Sequence, residues 1–300
     1  MNKQNLKLQQ KIINTNSSEK HYSKRISYIF VTKNRTKLFN KTIGELKKIK
    51  DPNDEIILVN GGNEKIIDNS IDKYIQEPDI SPSHALNKGI LIAKGKYIKN
   101  IADDDFIWKK QLNRAIEVLD SNQDIDLLVC GGLRQKGNNK FPFYFPPNSN
   151  YGENLKQTAK YGICGEGMII RHSSISLIGL IPTGLASDGE YIIQAIYNGA
   201  TVKFSRICLF YRVSKYDDIS STSKHLVKED LIKIYKKYNI SDITKNNTRF
   251  KKIIRSILKK YFPKFYVKRQ AKFKVISKDI INYNPDLLDP ESHLWDGGFS

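Results

Sequence analysis

Three hundred residues with 39% hydrophobic and 10% aromatic content can bury a sizeable core, which argues against a wholly disordered chain. No apolar run approaches the roughly 18 residues of a membrane span, and the polar start MNKQNLKLQQKIINTNSSEKH lacks a signal peptide's apolar centre, so a cytoplasmic protein is expected. The net charge of +19 is concentrated, because residues 224–278 hold 18 Lys or Arg against 3 acidic residues. Cys130, Cys164 and Cys208 are odd in number and widely spaced, and none of the five His has a metal-ligand spacing. Buried, reduced thiols are expected rather than a disulfide framework or a zinc site.

In chain order, residues 1–24 read as a flexible arm. ISYIFVT (26–32) is short, β-branched and aromatic, as a buried strand should be. Residues 37–50 carry Leu38, Ile43, Leu46 and Ile49 at helical spacing, and Asp51-Pro52 stops the helix. EIILVN (55–60) is a second buried strand closed by Gly61-Gly62. A helix over 83–93 and a strand over 96–101 follow, then a helix over 108–119 and the strand-like IDLLVC (125–130). RQKGNNKFPFYFPPNSN (134–150), rich in Pro and aromatics, reads as a loop over the site. Further on come helices over 172–178 and 188–197 and closing strands over 201–204 and 207–211.

Strands alternating with helices predict an α/β domain with a mainly parallel sheet. Ligands of such sheets bind beyond the carboxyl ends of the strands. The polar punctuation lies at those ends: Thr32-Lys33-Asn34, Asn60-Gly61-Gly62, and the run Asp103-Asp104-Asp105. Consecutive carboxylates behind a strand suit a hard divalent cation, Mg²⁺ or Mn²⁺, which takes one or two protein carboxylates and fills its other positions with phosphate oxygens and water. They also suit a solvated acidic turn or a helix start.

The ordered set ISYIFVTKNR, EIILVNGGN and SHALNKGILIAKGKYIKNIADDDF resembles the nucleotide-sugar-binding half of family 2 glycosyltransferases with the GT-A fold. GICGEGMIIR, SDGEYIIQAIYNGATV and the FYR at 210–212 continue the resemblance to about residue 213. It implies a Rossmann-like, GT-A type mixed and mainly parallel sheet flanked by helices. The glycosyltransferase domain would span 25–222, with a nucleotide-sugar-binding half over 25–108 and an acceptor half over 109–222. A basic helical extension would occupy 223–300.

Residue by residue, the resemblance places Thr32 and Asn34 on the nucleoside. It places Asn60 where the family usually has the Asp that pairs with uracil. Asn87 and Lys88 match its Asn-x-Gly segment, with Lys88 either a cation near the diphosphate or a solvated side chain. Two registers compete in the triplet, because Ala102 stands where the family's first Asp falls. The preferred register makes Asp104 the metal ligand, with Asp105 beside it and Asp103 toward the nucleotide; the other splits the roles between Asp103 and Asp105. Asp188 matches the general base of an inverting transfer, its alternative being a helix N-cap. Glu190 is the reserve candidate. The expected cofactor is Mn²⁺ or Mg²⁺, the donor a nucleotide-diphosphate sugar of the UDP type, and the acceptor a hydroxyl of a polysaccharide or glycolipid. The rival readings are a catalytically inactive nucleotide-binding scaffold and a nucleotidyltransferase; TKNRTK lacks the Gly-rich phosphate loop the latter would show.

FKKIIRSILKKY (250–261) is a basic amphipathic pattern that either docks on an anionic membrane surface or packs on the domain. Docking would place the protein peripherally on the inner face of the membrane. No nucleic-acid-binding module is recognisable, so nucleic acid is not an expected partner.

Overall fold

The computed structural model describes residues 22–136, 143–145, 165–214, 224–240 and 261. Its strands are β1 (Lys24–Thr32), β2 (Glu55–Asn60), β3 (Lys73–Gln76), β4 (Gly95–Ala102), β5 (Asp105–Ile107), β6 (Leu127–Lys136), β7 (Phe143–Phe145), β8 (Met168–Arg171) and β9 (Val202–Ser214). The helices are α1 (Thr36–Ile49), α2 (Pro82–Ile92), α3 (Lys109–Ser121), α4 (Ile175–Ile178), α5 (Ser187–Tyr197) and α6 (Lys224–Lys237). The strands form one mixed sheet in the order β3-β2-β1-β4-β8-β6-β9-β5, with β7 added to β6.

The expected α/β architecture with a parallel unit is present. β3, β2, β1 and β4 are parallel neighbours, while β8 runs antiparallel to both β4 and β6. Alternate side chains enter cores on both faces, which explains the apolar centres Tyr28–Val31 of β1 and Ile56–Val59 of β2. Ile26, Tyr28 and Phe30 with Ile56 and Leu58 face one core, built with Phe39, Ile43 and Leu46 of α1 and Leu112, Ile116 and Leu119 of α3. Ile29, Ile57 and Val59 face the other, built with Ala85, Leu86 and Ile90 of α2 and Tyr191, Ile192 and Ala195 of α5. Helices therefore cover both faces.

Register brings those ends together. Thr32 pairs with Asn60, Val31 with Ala102, and Asn60 with Gln76. The first three polar turns of the sequence therefore lie side by side on one edge of the sheet.

The structure corrects several sequence expectations. The stretch 134–150 is not all loop, because β6 continues to Lys136 and Phe143–Phe145 pairs back on Gly132, Leu133 and Arg134. Its aromatic residues favour a strand, and the flanking Pro residues masked that preference. The two closing strands are one continuous β9 whose pairing with β6 is irregular around Gly131. The helix over 172–178 is a 3₁₀ turn (His172–Ser174) followed by the single turn of α4. β3 and β5 were not anticipated. Cys130 and Cys208 are free and buried, as expected, and burial pushes the Cys130 thiol up to about 12. Cys164 lies outside the described residues, as do the stretch 250–260 and most of the N-terminal arm.

Candidate active site

Thr32 ends β1 and Asp103 opens the turn after β4, one strand away. The Thr32 hydroxyl donates to Asp103 Oδ2 at 3.2 Å, and Arg35 Nη1 donates to Asp103 Oδ1 at 2.8 Å. Thr42 Oγ1 of α1 donates to the Asp103 carbonyl at 2.8 Å, which anchors the turn from below. Burial raises the Asp103 pKa to about 6; Arg35 opposes that shift and the neighbouring Asp104 adds to it.

β5 then pairs antiparallel with β9, with Asp105 directly opposite Arg212. Opposed residues in such a ladder stand about 5 Å apart at Cβ, so the pairing brings a residue more than a hundred positions away onto the triplet. Arg212 Nη2 lies 3.1 Å from Asp104 Oδ1, and its Nε lies 3.1 Å from Asp105 Oδ1. The same guanidinium also pairs with Glu166. Asp105 Oδ2 accepts from the Ala102 N–H at 2.9 Å and so closes the turn. Burial pushes the Asp105 carboxyl well above the usual carboxylate range despite Arg212, with Glu166 and Asp104 adding to the rise.

Glu166 rides on a 3₁₀ turn, Gly165–Gly167. The buried ammonium of Lys99, on β4, fixes that turn by donating to the Glu166 carbonyl at 2.6 Å and to the Asn100 carbonyl at 2.8 Å. The N–H of Gly165 donates to Asp188 Oδ2 at 3.1 Å. Gly165 permits this approach because a Cβ there would collide with the Asp188 carboxylate. One short turn thus joins Asp188 to Arg212, and through it to the triplet.

Asp188 lies in the first turn of α5 and does not cap it. The N-cap position is Ala186, which makes no side-chain cap bond, so the N-cap alternative is set aside. Burial pushes the Asp188 pKa to about 6, Glu166 pushes in the same direction, and Arg212 opposes. Glu190 turns away and pairs with Lys237 of α6 at 2.8 Å.

The other expected residues divide. Asn34 follows β1 in the left-handed region (φ 55°) and packs on Gly62. Asn60 spends its amide on local structure: Nδ2 donates to Glu64 O at 2.6 Å and to the Tyr74 hydroxyl at 3.2 Å, while Oδ1 accepts from Gly62 N at 2.8 Å. Asn87, on α2, exchanges two hydrogen bonds with the Ile181 backbone, at 2.8 and 2.9 Å. Lys88 donates to Pro78 O and pairs with Glu77, both at 2.9 Å. The structure gathers Thr32, Asn34, Asn60, Asp103, Asp104, Asp105 and Asp188 around the strand ends, and it directs Asn87 and Lys88 elsewhere. Sequence reasoning gave no role to Arg35, Lys99, Glu166 or Arg212. Glu166 and Arg212 did stand in the quoted segments GICGEGMIIR and FYR, but only strand pairing shows what they face.

Among the described residues, no group of three or more His, Cys, Asp or Glu has the arrangement of a metal cage. A hard cation that shares its coordination with phosphate needs fewer ligands. The donor set here is all carboxylate oxygen, and the buried Asp105 Oδ1 makes no hydrogen bond beyond its ion pair with Arg212. Asp104 and Asp105 therefore fit such an ion, with Asp104 the more accessible of the two.

The mixed sheet with carboxylates at its strand ends is similar in fold to glycosyltransferases of the GT-A class, as solved structures show. TarS of S. aureus, residues 1–349 in complex with UDP-GlcNAc, superposes with a TM-score of 0.54 at 16% identity, covering 86% of this chain and 78% of that one. A mannosyltransferase, PcManGT of Pyrobaculum calidifontis in complex with GDP-Man and Mn²⁺, gives 0.51 at 14% identity over 84% and 74%. The longer TarS chain gives 0.53 at 13% identity; 88% of this chain is covered, but only 46% of that one, so this chain spans about half its length. No curated protein sequence matches. The model of glycosyl transferase family 2 matches residues 27–178, half of the chain, and the chain belongs to that family.

Proposed function

We propose that this glycosyltransferase moves a sugar from a nucleotide-diphosphate donor to an acceptor hydroxyl with inversion at the anomeric carbon. The observation that carries this reading is the Gly165–Gly167 turn, which sets Asp188 beside the Asp103–Asp105 carboxylates through Glu166 and Arg212. A base and a diphosphate-binding corner then share one crevice. Solved neighbours of the same fold hold UDP-GlcNAc, or GDP-Man with Mn²⁺, which supports a donor of this class.

Asp188 takes the acceptor's proton as that oxygen attacks the anomeric carbon, and the bond from that carbon to the diphosphate breaks with its electron pair leaving on phosphate oxygen. With a pKa of about 6, Asp188 is ionised at neutral pH yet remains a competent base. Asp104 and Asp105 would hold Mn²⁺ or Mg²⁺, which when bound offsets charge on the departing diphosphate. Thr32 and Asn34 face the nucleoside, and Thr32 with Arg35 orients Asp103 toward it. The acceptor is a polysaccharide or glycolipid hydroxyl; the basic C-terminal third supports one near an anionic surface.

The test incubates purified protein with Mn²⁺ and a panel of nucleotide sugars and measures released nucleotide diphosphate. Release with at least one donor is expected. Absence of release from every donor, together with absence of metal-dependent nucleotide binding, would overturn the proposal in favour of a catalytically inactive scaffold.

A further inference from the structure

The second strand-end turn meets an acidic side chain that the site described above does not use. Asp79, three residues beyond β3, lays its carboxylate over Gly61, and a Cβ on Gly61 would collide with Asp79 Oδ2. Lys33 of the first turn holds the same residue, with Nζ 3.3 Å from the Asp79 carbonyl and 3.4 Å from Oδ1. The Asp79 side chain is only 8% exposed. The adjoining Asn60 has both amide hydrogens committed to Glu64 and Tyr74.

Distance along the strand ends says what this carboxylate faces. Adjacent strands stand about 4.8 Å apart. In the order β2-β1-β4, the end of β2 therefore lies roughly 10 Å from the carboxylates that follow β4. A nucleoside, from its 5′ oxygen to the far edge of its base, spans a gap of that order, so a nucleotide whose diphosphate sits at Asp104 brings its base to the end of β2. A second phosphate would be repelled by Asp79, whereas a neutral ring offering N–H groups suits an acceptor-only carboxylate.

We propose that Asp79, seated on Gly61 and steadied by Lys33, is the base-selecting residue, and that it accepts from the ring N–H of a uracil or guanine nucleotide. The inference rests on the nucleotide-diphosphate reading above. Cytosine and adenine present a ring-nitrogen acceptor where uracil and guanine present the N–H, and facing a carboxylate they leave two acceptors opposed.

Titration calorimetry of the full chain with UDP, GDP, CDP and ADP, each with Mn²⁺, tests this. UDP or GDP is expected to bind at least about tenfold more tightly than CDP and ADP. In Asp79→Asn the side-chain amide donates to the cytosine ring nitrogen, so the gap to CDP should close to within about threefold. Gly61→Ala, which displaces the carboxylate without altering Asp79, should lose the same discrimination. Equal affinity for all four nucleotides, or an unchanged preference in both variants, would overturn the assignment alone. If the unsubstituted chain binds none of the four, the nucleotide reading falls and the assignment with it.

Discussion

In the proposed mechanism Asp188 and Asp104 are two carboxylates separated by role. If Asp104 is a cation ligand, Asp104→Ala should abolish metal-dependent nucleotide binding in calorimetry. Asp188→Asn keeps an acceptor for the Gly165 N–H and should bind nucleotide normally while turnover falls about a hundredfold or more. Near-normal turnover in that variant would refute the base assignment. Stability offers an independent check. The folded Asp188 holds its proton up to about pH 6, against an ordinary value of 3.8. Below pH 3.8 both folded and unfolded states are protonated and the group costs nothing. As pH rises from 3.8 to 6 the unfolded chain releases the proton first, so stability falls across that window and then levels off. Asp188→Asn should therefore be more stable than the parent at pH 7.5, by up to about 3 kcal/mol, with the difference closing near pH 4 in urea titrations. Asp103 adds a similar pH dependence to both proteins and cancels in the comparison. Asp188 was singled out in the sequence by its resemblance to the family's helix-opening acidic pair, and it does lie in the first turn of α5. Its neighbour Glu166 had no role in the sequence reading, because nothing local distinguishes a Glu between two glycines.

At the scale of elements, the long buried strands declared themselves and the short ones did not. β1 and β2 carry apolar runs, Tyr28–Val31 and Ile56–Val59, because both faces are covered, whereas β5 is three residues long and merges with the acidic turn. That short strand nevertheless organises the site, since its ladder with β9 sets Arg212 against Asp105. Arg212→Gln would leave Asp104, Asp105 and Glu166 facing one another without the guanidinium. Breaking a largely buried ion cluster costs about 3 kcal/mol, and thermal melts at pH 7.5 should show that loss. Mn²⁺ is expected to restore more stability to the variant than to the parent, because the ion supplies the missing positive charge. If Arg212→Gln melted like the parent, the guanidinium would not be what balances the cluster.

For the molecule as a whole, charge and chemistry are segregated. The strand-end crevice gathers carboxylates, while 18 Lys or Arg lie between residues 224 and 278. The parallel unit of the fold was legible because strand and helix alternate with unmistakable period. The C-terminal part was not, because a basic amphipathic pattern serves equally for packing and for docking. α6, the first part of that segment, packs: Ile234, Tyr238 and Ile240 join Ile193 of α5, and Leu185 N donates to Asp230 of α6 at 2.7 Å. No helix among the described residues is long and apolar enough to cross a membrane. An electrostatic attachment would instead act through the Lys and Arg that follow α6, each contributing about 1 kcal/mol at an anionic surface. The chain is expected to sediment with vesicles containing phosphatidylserine at 50 mM NaCl, to be released as salt rises, and to ignore neutral vesicles. Replacing the Lys and Arg of 250–261 with Gln should abolish sedimentation while leaving donor-nucleotide affinity unchanged, because none of the residues proposed to hold the nucleotide belongs to that stretch. Equal binding to neutral and anionic vesicles would exclude the electrostatic account. Failure to bind either would leave the stretch 250–261 with the packing role that α6 already has.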